Sequence, residues 1–183
     1  MCRQTDGIVV NIGSMEPDYI ALVEGCRRHD RRAQRALYDA LAPMAMGVCM
    51  RHAHNRDEAQ DLLQEGFIKV FENLRRLRDP KKVGSWAYRL MVNTCINHYK
   101  GMVKSLSLDD LDYEPESFPM DPFGAEEMVA AMQSLTPQQR LVFNLVQVEG
   151  YDYDEVAREL HCAPSTVRTL ISRARRRLKE ILI

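Results

Sequence analysis

The chain ends in two helix signatures separated by a four-residue break, and no other feature restricts its fold so tightly. Asp152–Leu160 opens with Asp152 and Glu155 spaced as a capping box, in which each side chain satisfies a free backbone N–H of the first turn. Residues 161–164 form the break, because Pro164 cannot continue the first helix. Ser165 is a good N-cap and is expected to start the second helix, which runs to Leu178. Along it Val167, Ile171, Ala174 and Leu178 recur at i, i+4, i+7 and i+11 and predict one buried stripe. The opposite stripe holds Arg168, Thr169, Ser172, Arg173 and Arg176. A helix pair this short buries little core of its own, so it needs a supporting domain and leaves one helix facing outward.

The outward stripe is suited to nucleic acid. Its side chains hydrogen-bond base edges or phosphates, and a helix pair of this kind can place its second helix in a DNA major groove. From Arg168 to Lys179 there are six basic residues and no acid. A merely solvated basic face is the alternative. The coincidence of turn, caps and both stripes favours the DNA reading.

A net charge of −1 hides a strong segregation. Residues 18–104 carry a net +6, residues 105–127 a net −8 and residues 128–183 a net +2. The acidic strip also holds Pro115, Pro119 and Pro122, and like-charge repulsion with three prolines argues against a packed helix. The expected organisation is therefore all-α. Two small helical domains, 18–104 and 128–183, are joined by a flexible acidic linker, 105–127, and the second ends in the helix-turn-helix. Residues 1–17 read as a detached, disordered extension, and Met15 is a candidate natural start.

Five scattered cysteines with no Cys-x-x-Cys pair give no disulfide framework. Cys49, His52 and His54 are the one ligand-like cluster, at a spacing that matches no common zinc pattern, so no metal and no cofactor are expected. No apolar run approaches the ~18 residues that cross a membrane. With no signal peptide at the start, the cytoplasm is the expected compartment. No nucleophile–base pair or glycine-rich phosphate loop suggests an enzyme.

Within the first domain, helices are expected at Tyr19–Cys26, Asp30–Met50, Asp57–Leu74 and Ser85–Lys100, with Arg75–Gly84 a basic loop. Asp57–Leu74 buries Ala59, Leu62, Leu63, Phe67, Val70, Phe71 and Leu74, and its other side carries Asp57, Asp61, Glu65 and Glu72. On the last helix Trp86, Arg89, Asn93, Asn97 and Lys100 share one face. A ring can stack on an unpaired base, amides can read base edges and cations can hold phosphates. In the second domain Thr136-Pro137 starts a helix with Gln139 at its third position, and Gly150 ends it.

Asp61–Phe71 followed by Gly84–Thr94 resembles the second domain of bacterial RNA polymerase sigma factors. Leu135–Phe143 and Gly150–Ala157, with the helix-turn-helix, resemble their fourth domain. With only the acidic strip between them, the arrangement is similar to the extracytoplasmic-function group of the sigma-70 family. The resemblance implies a factor that binds core polymerase and directs promoter-specific initiation. It implies that Asp57, Asp61, Gln64 and Glu65 dock on the clamp helices of the polymerase's largest subunit. Leu77, Trp86, Arg89, Asn93, Asn97 and Lys100 would meet the −10 element, and Asn93 with the Arg76–Gly84 loop would cradle a flipped base. Ser165, Thr166, Arg168, Thr169, Ser172, Arg173 and Arg176 would meet the −35 element. An anti-sigma factor is a further expected partner. Leu77 stands where many members carry an aromatic residue, and Ala87 where the family often has Leu. A helix-turn-helix regulator with an unrelated first domain is the competing reading; it predicts tight duplex binding without polymerase.

Overall fold

The structure is a computed structural model and describes residues 17–104 and 124–182. All regular structure among these residues is helical. The first unit comprises α1 (Tyr19–Arg27), α2 (Arg31–His52), α3 (Arg56–Asn73), two 3-10 turns (Leu74–Arg76 and Pro80–Lys82) and α4 (Val83–Lys104). The second comprises α5 (Ala125–Gln133), α6 (Pro137–Phe143) with a π-helical turn (Asn144–Val148), α7 (Tyr153–Leu160) and α8 (Pro164–Leu182).

Each start in the first unit has a chemical cause. The Asp18 carboxylate accepts from the N–H groups of Ile20 and Ala21 at 3.1 Å, Asp30 from Arg32 at 2.8 Å and Asn55 from Glu58 at 2.9 Å. Helix α2 runs through Pro43 without ending. The segment expected to be a loop from Arg75 to Gly84 is instead two 3-10 turns leading into α4, which begins at Val83 and takes in Gly84. Asp79 caps the second turn by accepting from Lys81 N–H at 3.1 Å, and Pro80 supplies a preset φ for its first residue. Helices α2, α3 and α4 pack against one another around Leu37, Leu41, Val48, Leu62, Phe67, Met91 and Ile96.

In the second unit the expected capping box at Asp152 is present, and the helix start expected at Thr136 proves to be a second one. Thr136 pairs with Gln139 and Asp152 with Glu155. Gly150 takes φ +72 after the π turn, and His161 takes φ 54 as the left-handed cap of α7. Two expectations shift. Helix α8 begins at Pro164, not after a Ser165 cap. Proline has no N–H to lose in a first turn and its ring fixes a helical φ, so it starts the second helix, while the first ends at the left-handed His161. Helix α5 begins at Ala125, inside the stretch read as linker, with Glu126 and Glu127 in its first turn, where the helix dipole favours acids. Residues 105–123 of that linker, and the extension 1–16, lie outside the described residues.

Gly25 marks a close approach of α1 to α2. A Cβ there would meet the Ala33 Cβ at 2.5 Å, and neither atom can rotate away. Gly25→Ala is therefore expected to separate α1 from α2 and destabilise the unit by about 1–3 kcal/mol. Thermal unfolding checks this; an unchanged midpoint would mean the two helices slide apart without penalty.

Candidate nucleic-acid interface

Helix α4 shows how sequence and burial together create an outward face. Ala87, Met91, Val92, Cys95, Ile96 and Tyr99 are buried, which fixes the rotation of the helix. Arg89, Asn93 and Asn97 are then exposed, and Trp86 and Lys100 are half-buried at the edges. The five side chains share one face, as their spacing required. Trp86 packs partly against the core, which holds the ring in place while leaving part of it open.

Leu77 corrects the expectation for the −10 set. It is 7 % exposed and belongs to the core, and its carbonyl accepts from the Arg27 guanidinium. Its side chain therefore closes the first unit and does not face a ligand.

The acidic face on α3 is also formed. Asp57, Asp61, Gln64 and Glu65 are exposed, while Ala59, Leu62, Leu63, Phe67 and Val70 are buried beneath them. The Glu65 carboxylate is held by Lys69 Nζ at 2.6 Å. Ile68 lies at the end of this face and is 58 % exposed, the most exposed large apolar side chain among the described residues. Its helical spacing of four from Gln64 was the signal that could have identified it.

Helix α8 buries Val167, Leu170, Ile171, Ala174 and Leu178. Ser165, Arg168 and Arg176 are exposed, and Thr166, Thr169, Ser172 and Arg173 are half-buried on the outward side. The Thr169 hydroxyl donates to the Ser165 carbonyl at 3.0 Å, so its remaining lone pairs are what it can offer a ligand. The structure thus brings together a basic, polar face on each of two helices and an acidic face on a third.

The two units meet in a polar seam that local sequence pattern did not reveal. Helix α6 packs on α2 and α4, and α7 packs on α4. The Tyr88 hydroxyl donates to Glu149 Oε1 at 2.7 Å, and Arg51 Nη2 lies 3.3 Å from the same hydroxyl. Asn144 Nδ2 donates to the Arg51 carbonyl at 2.8 Å. Burial first, and then Glu149, push the Tyr88 phenol up to about 12. Arg140 is 1 % exposed near Tyr99 and Glu58, and donates to the Leu135 carbonyl at 3.1 Å. Its Nε and Nη1, and both ring nitrogens of His52, have no hydrogen-bond partner among the described residues. Cys49 shares a thiol hydrogen bond with buried Cys95, and His54 is exposed beside the Gln133 carbonyl. No group of His, Cys, Asp and Glu among the described residues could hold a metal.

Comparison with known proteins agrees with this geometry. Residues 37–102 match Sigma-70 region 2, and residues 125–178 match Sigma-70, region 4. The chain is 29% identical over 177 residues to the RNA polymerase sigma-H factor of Pseudomonas aeruginosa, covering 88% of this chain and 92% of that one. It is 28% identical to the ECF RNA polymerase sigma-E factor of Escherichia coli, covering 84% and 88%. Among solved structures it is similar to the sigma factor RpoE of Bartonella quintana in complex with the anti-sigma factor NepR. That likeness has 20% identity, a TM-score of 0.45 and coverage of 81% and 95%. The chain belongs to the sigma-70 family of RNA polymerase sigma factors, and its two-region build together with those relatives puts it in the extracytoplasmic-function group. It is a promoter-directing transcription initiation factor whose partners are core RNA polymerase and promoter DNA. Among the described residues no helix is long and apolar enough to cross a membrane.

The seam makes stability depend on pH. Burial, and then the nearby Arg51 and Arg140, push the His52 imidazole down to about 3. An exposed imidazole takes up its proton near pH 6.5. The unfolded chain therefore binds more protons between those values, and stability falls as pH drops through that window and is indifferent to His52 above it. Lowering pH from 7.5 to 5.5 is expected to remove about 1 kcal/mol through this group. Thermal unfolding of the parent and of His52→Leu at both pH values tests it. The parent should lose more on acidification than the variant; equal losses would contradict the assignment.

Proposed function

We propose that the three outward faces divide the work of promoter-directed initiation. The acidic face of α3, with Asp57, Asp61, Gln64 and Glu65, docks on the polymerase. The α4 face, with Trp86, Arg89, Asn93, Asn97 and Lys100, holds the unpaired strand of the −10 element. The α8 face, with Arg168, Thr169, Ser172, Arg173 and Arg176, reads the −35 element, while Ser165 and Thr166 meet backbone phosphate at the helix N-terminus. Residues 18–104 act as sigma domain 2 and residues 128–183 as sigma domain 4. The single observation that carries this reading is the exposure of a polar, base-compatible face on both α4 and α8 in one chain, beside an acidic face that DNA would repel.

Binding energy is sufficient for the task. Unstacking costs about a few kcal/mol per base step, and a base stacked on an aromatic ring returns about 1–3 kcal/mol. No catalytic step by this chain and no ATP enter. The chain works in the cytoplasm with core polymerase, and an anti-sigma factor would act by covering the polymerase- or DNA-facing surfaces.

The packed arrangement also sets a requirement. By their numbering the −10 and −35 elements lie about 25 base pairs apart, roughly 85 Å of straight duplex. A packed body of this chain length is roughly 40 Å across. The seam between α4 and α6 therefore has to part before α4 and α8 engage both elements. Its unpaired Arg140 and His52 nitrogens reduce what holds it shut.

Asp61→Arg is expected to weaken binding to core polymerase while leaving the fold intact; undiminished core affinity would remove α3 as the docking face. Arg173→Ala is expected to relax recognition at one −35 base pair by about 1–3 kcal/mol in holoenzyme binding to promoters substituted base by base. A loss of equal size on every sequence would make Arg173 a phosphate contact.

A further inference from the structure

Two thiols of the first unit take no part in any of the three outward faces. Cys49 on α2 and Cys95 on α4 are fully buried, and they hydrogen-bond to each other where the two helices pack. Small apolar side chains would fill the same space. What two touching thiols add is the capacity to close one covalent bond, with a sulfur–sulfur length of about 2.05 Å.

The pair is polarised. The hydrogen bond from Cys95 and then the Arg51 guanidinium hold the Cys49 thiol below its ordinary value, against the burial that opposes them. The bond to Cys49 and then burial push the Cys95 thiol up. Cys49 is thus the readier nucleophile, while Cys95 keeps its proton. Burial pushes up the other thiols among the described residues, Cys26 on α1 and Cys162 in the turn before α8.

The seam controls access to the pair. His52 follows Cys49 by three residues and Tyr99 follows Cys95 by four, so each lies one helical turn further along its helix. Both lie near Arg140 on α6, which packs across α2 and α4. When the units part, α6 leaves this end of the α2–α4 groove open to a molecule the size of water.

The pair also sits directly behind the α4 face. Cys95 falls between Asn93 and Asn97 in the chain, buried where they are exposed. Drawing its sulfur into a bond with α2 pulls α4 inward at that level and retracts both amides. Resting on the reading of α4 given above, we propose that Cys49 and Cys95 are an oxidation site, closed by hydrogen peroxide to a disulfide that ties α2 to α4 and weakens the hold of the α4 face on the −10 strand. The Cys49 sulfur attacks one peroxide oxygen; an S–O bond forms, the O–O bond breaks, and hydroxide leaves with the proton Cys49 has shed, as water. The Cys95 sulfur then attacks the Cys49 sulfur; the S–S bond forms, the S–O bond breaks, and hydroxide leaves with the Cys95 proton as a second water. Two thiols lose two electrons and two protons, and the peroxide is reduced to two waters.

The test oxidises the full, reduced chain with hydrogen peroxide and removes the peroxide before core polymerase is added, so that polymerase thiols are untouched. Mass spectrometry of the alkylated chain identifies the linked peptides. Affinity of the assembled holoenzyme for a fork-junction DNA with an unpaired −10 strand gives the functional readout. The parent should yield the Cys49–Cys95 link and lose about tenfold in fork affinity, the worth of one base contact on α4. Dithiothreitol should restore it. Cys95→Ala, and Cys49→Ala from the other helix, should bind the fork as the reduced parent does and be indifferent to peroxide. Absence of the link, a link that leaves fork affinity unchanged, or an equal loss in parent and alanine variants would overturn the proposal. A reduced parent holoenzyme that binds no fork would overturn the reading of α4 itself; a reduced parent that binds beside an oxidised one that binds as well would overturn this inference alone.

Discussion

The burial of one stripe on α4 fixes what the first unit can present. Ala87, Met91 and Cys95 are fully buried against α2 and α3. Turning the helix by one residue would carry the Asn93 and Asn97 amides toward the core, where each unpaired polar group costs about 1–3 kcal/mol. The rotation is thus set by hydrophobic burial, and the outward position of Trp86, Arg89 and the two amides follows. The same constraint acts on α8 through Val167, Ile171, Ala174 and Leu178. Neither face has to be specified by contacts of its own.

Charge is then distributed by role. The α3 surface is acidic, which suits a protein partner and repels DNA. The α4 face pairs two cations, Arg89 and Lys100, with an aromatic ring and two amides, groups that meet bases. The seam between the units joins them through Tyr88, Glu149, Asn144 and Arg51, yet leaves buried nitrogens of Arg140 and His52 unpaired. A joint that must part is better served by such a seam than by a fully satisfied one, because each unpaired group reduces the net gain of closing.

Local chemistry was legible in the sequence and long-range chemistry was not. The capping boxes at Thr136 and Asp152, the left-handed Gly150 and the α8 stripe all depend on residues three to eleven positions apart, and all are present. Pro164 marks a stop in the sequence, although its fixed φ also suits a first helical residue. The resemblance to the family places Leu77 in the −10 set, but its exposure depends on α1, whose Arg27 reaches fifty residues along the chain to hold the Leu77 carbonyl. The seam joins Asn144 to Arg51 across 93 residues, a pairing that no periodicity encodes. Arg75 and His29, 46 residues apart, likewise come together only through folding.

In vitro transcription with bacterial core polymerase on a genomic promoter library tests the central claim most directly. The account predicts initiation from a defined subset of promoters sharing one −10 and one −35 sequence, with the isolated chain binding duplex DNA weakly. Absence of specific initiation with an active core enzyme, together with tight duplex binding by the chain alone, would contradict it.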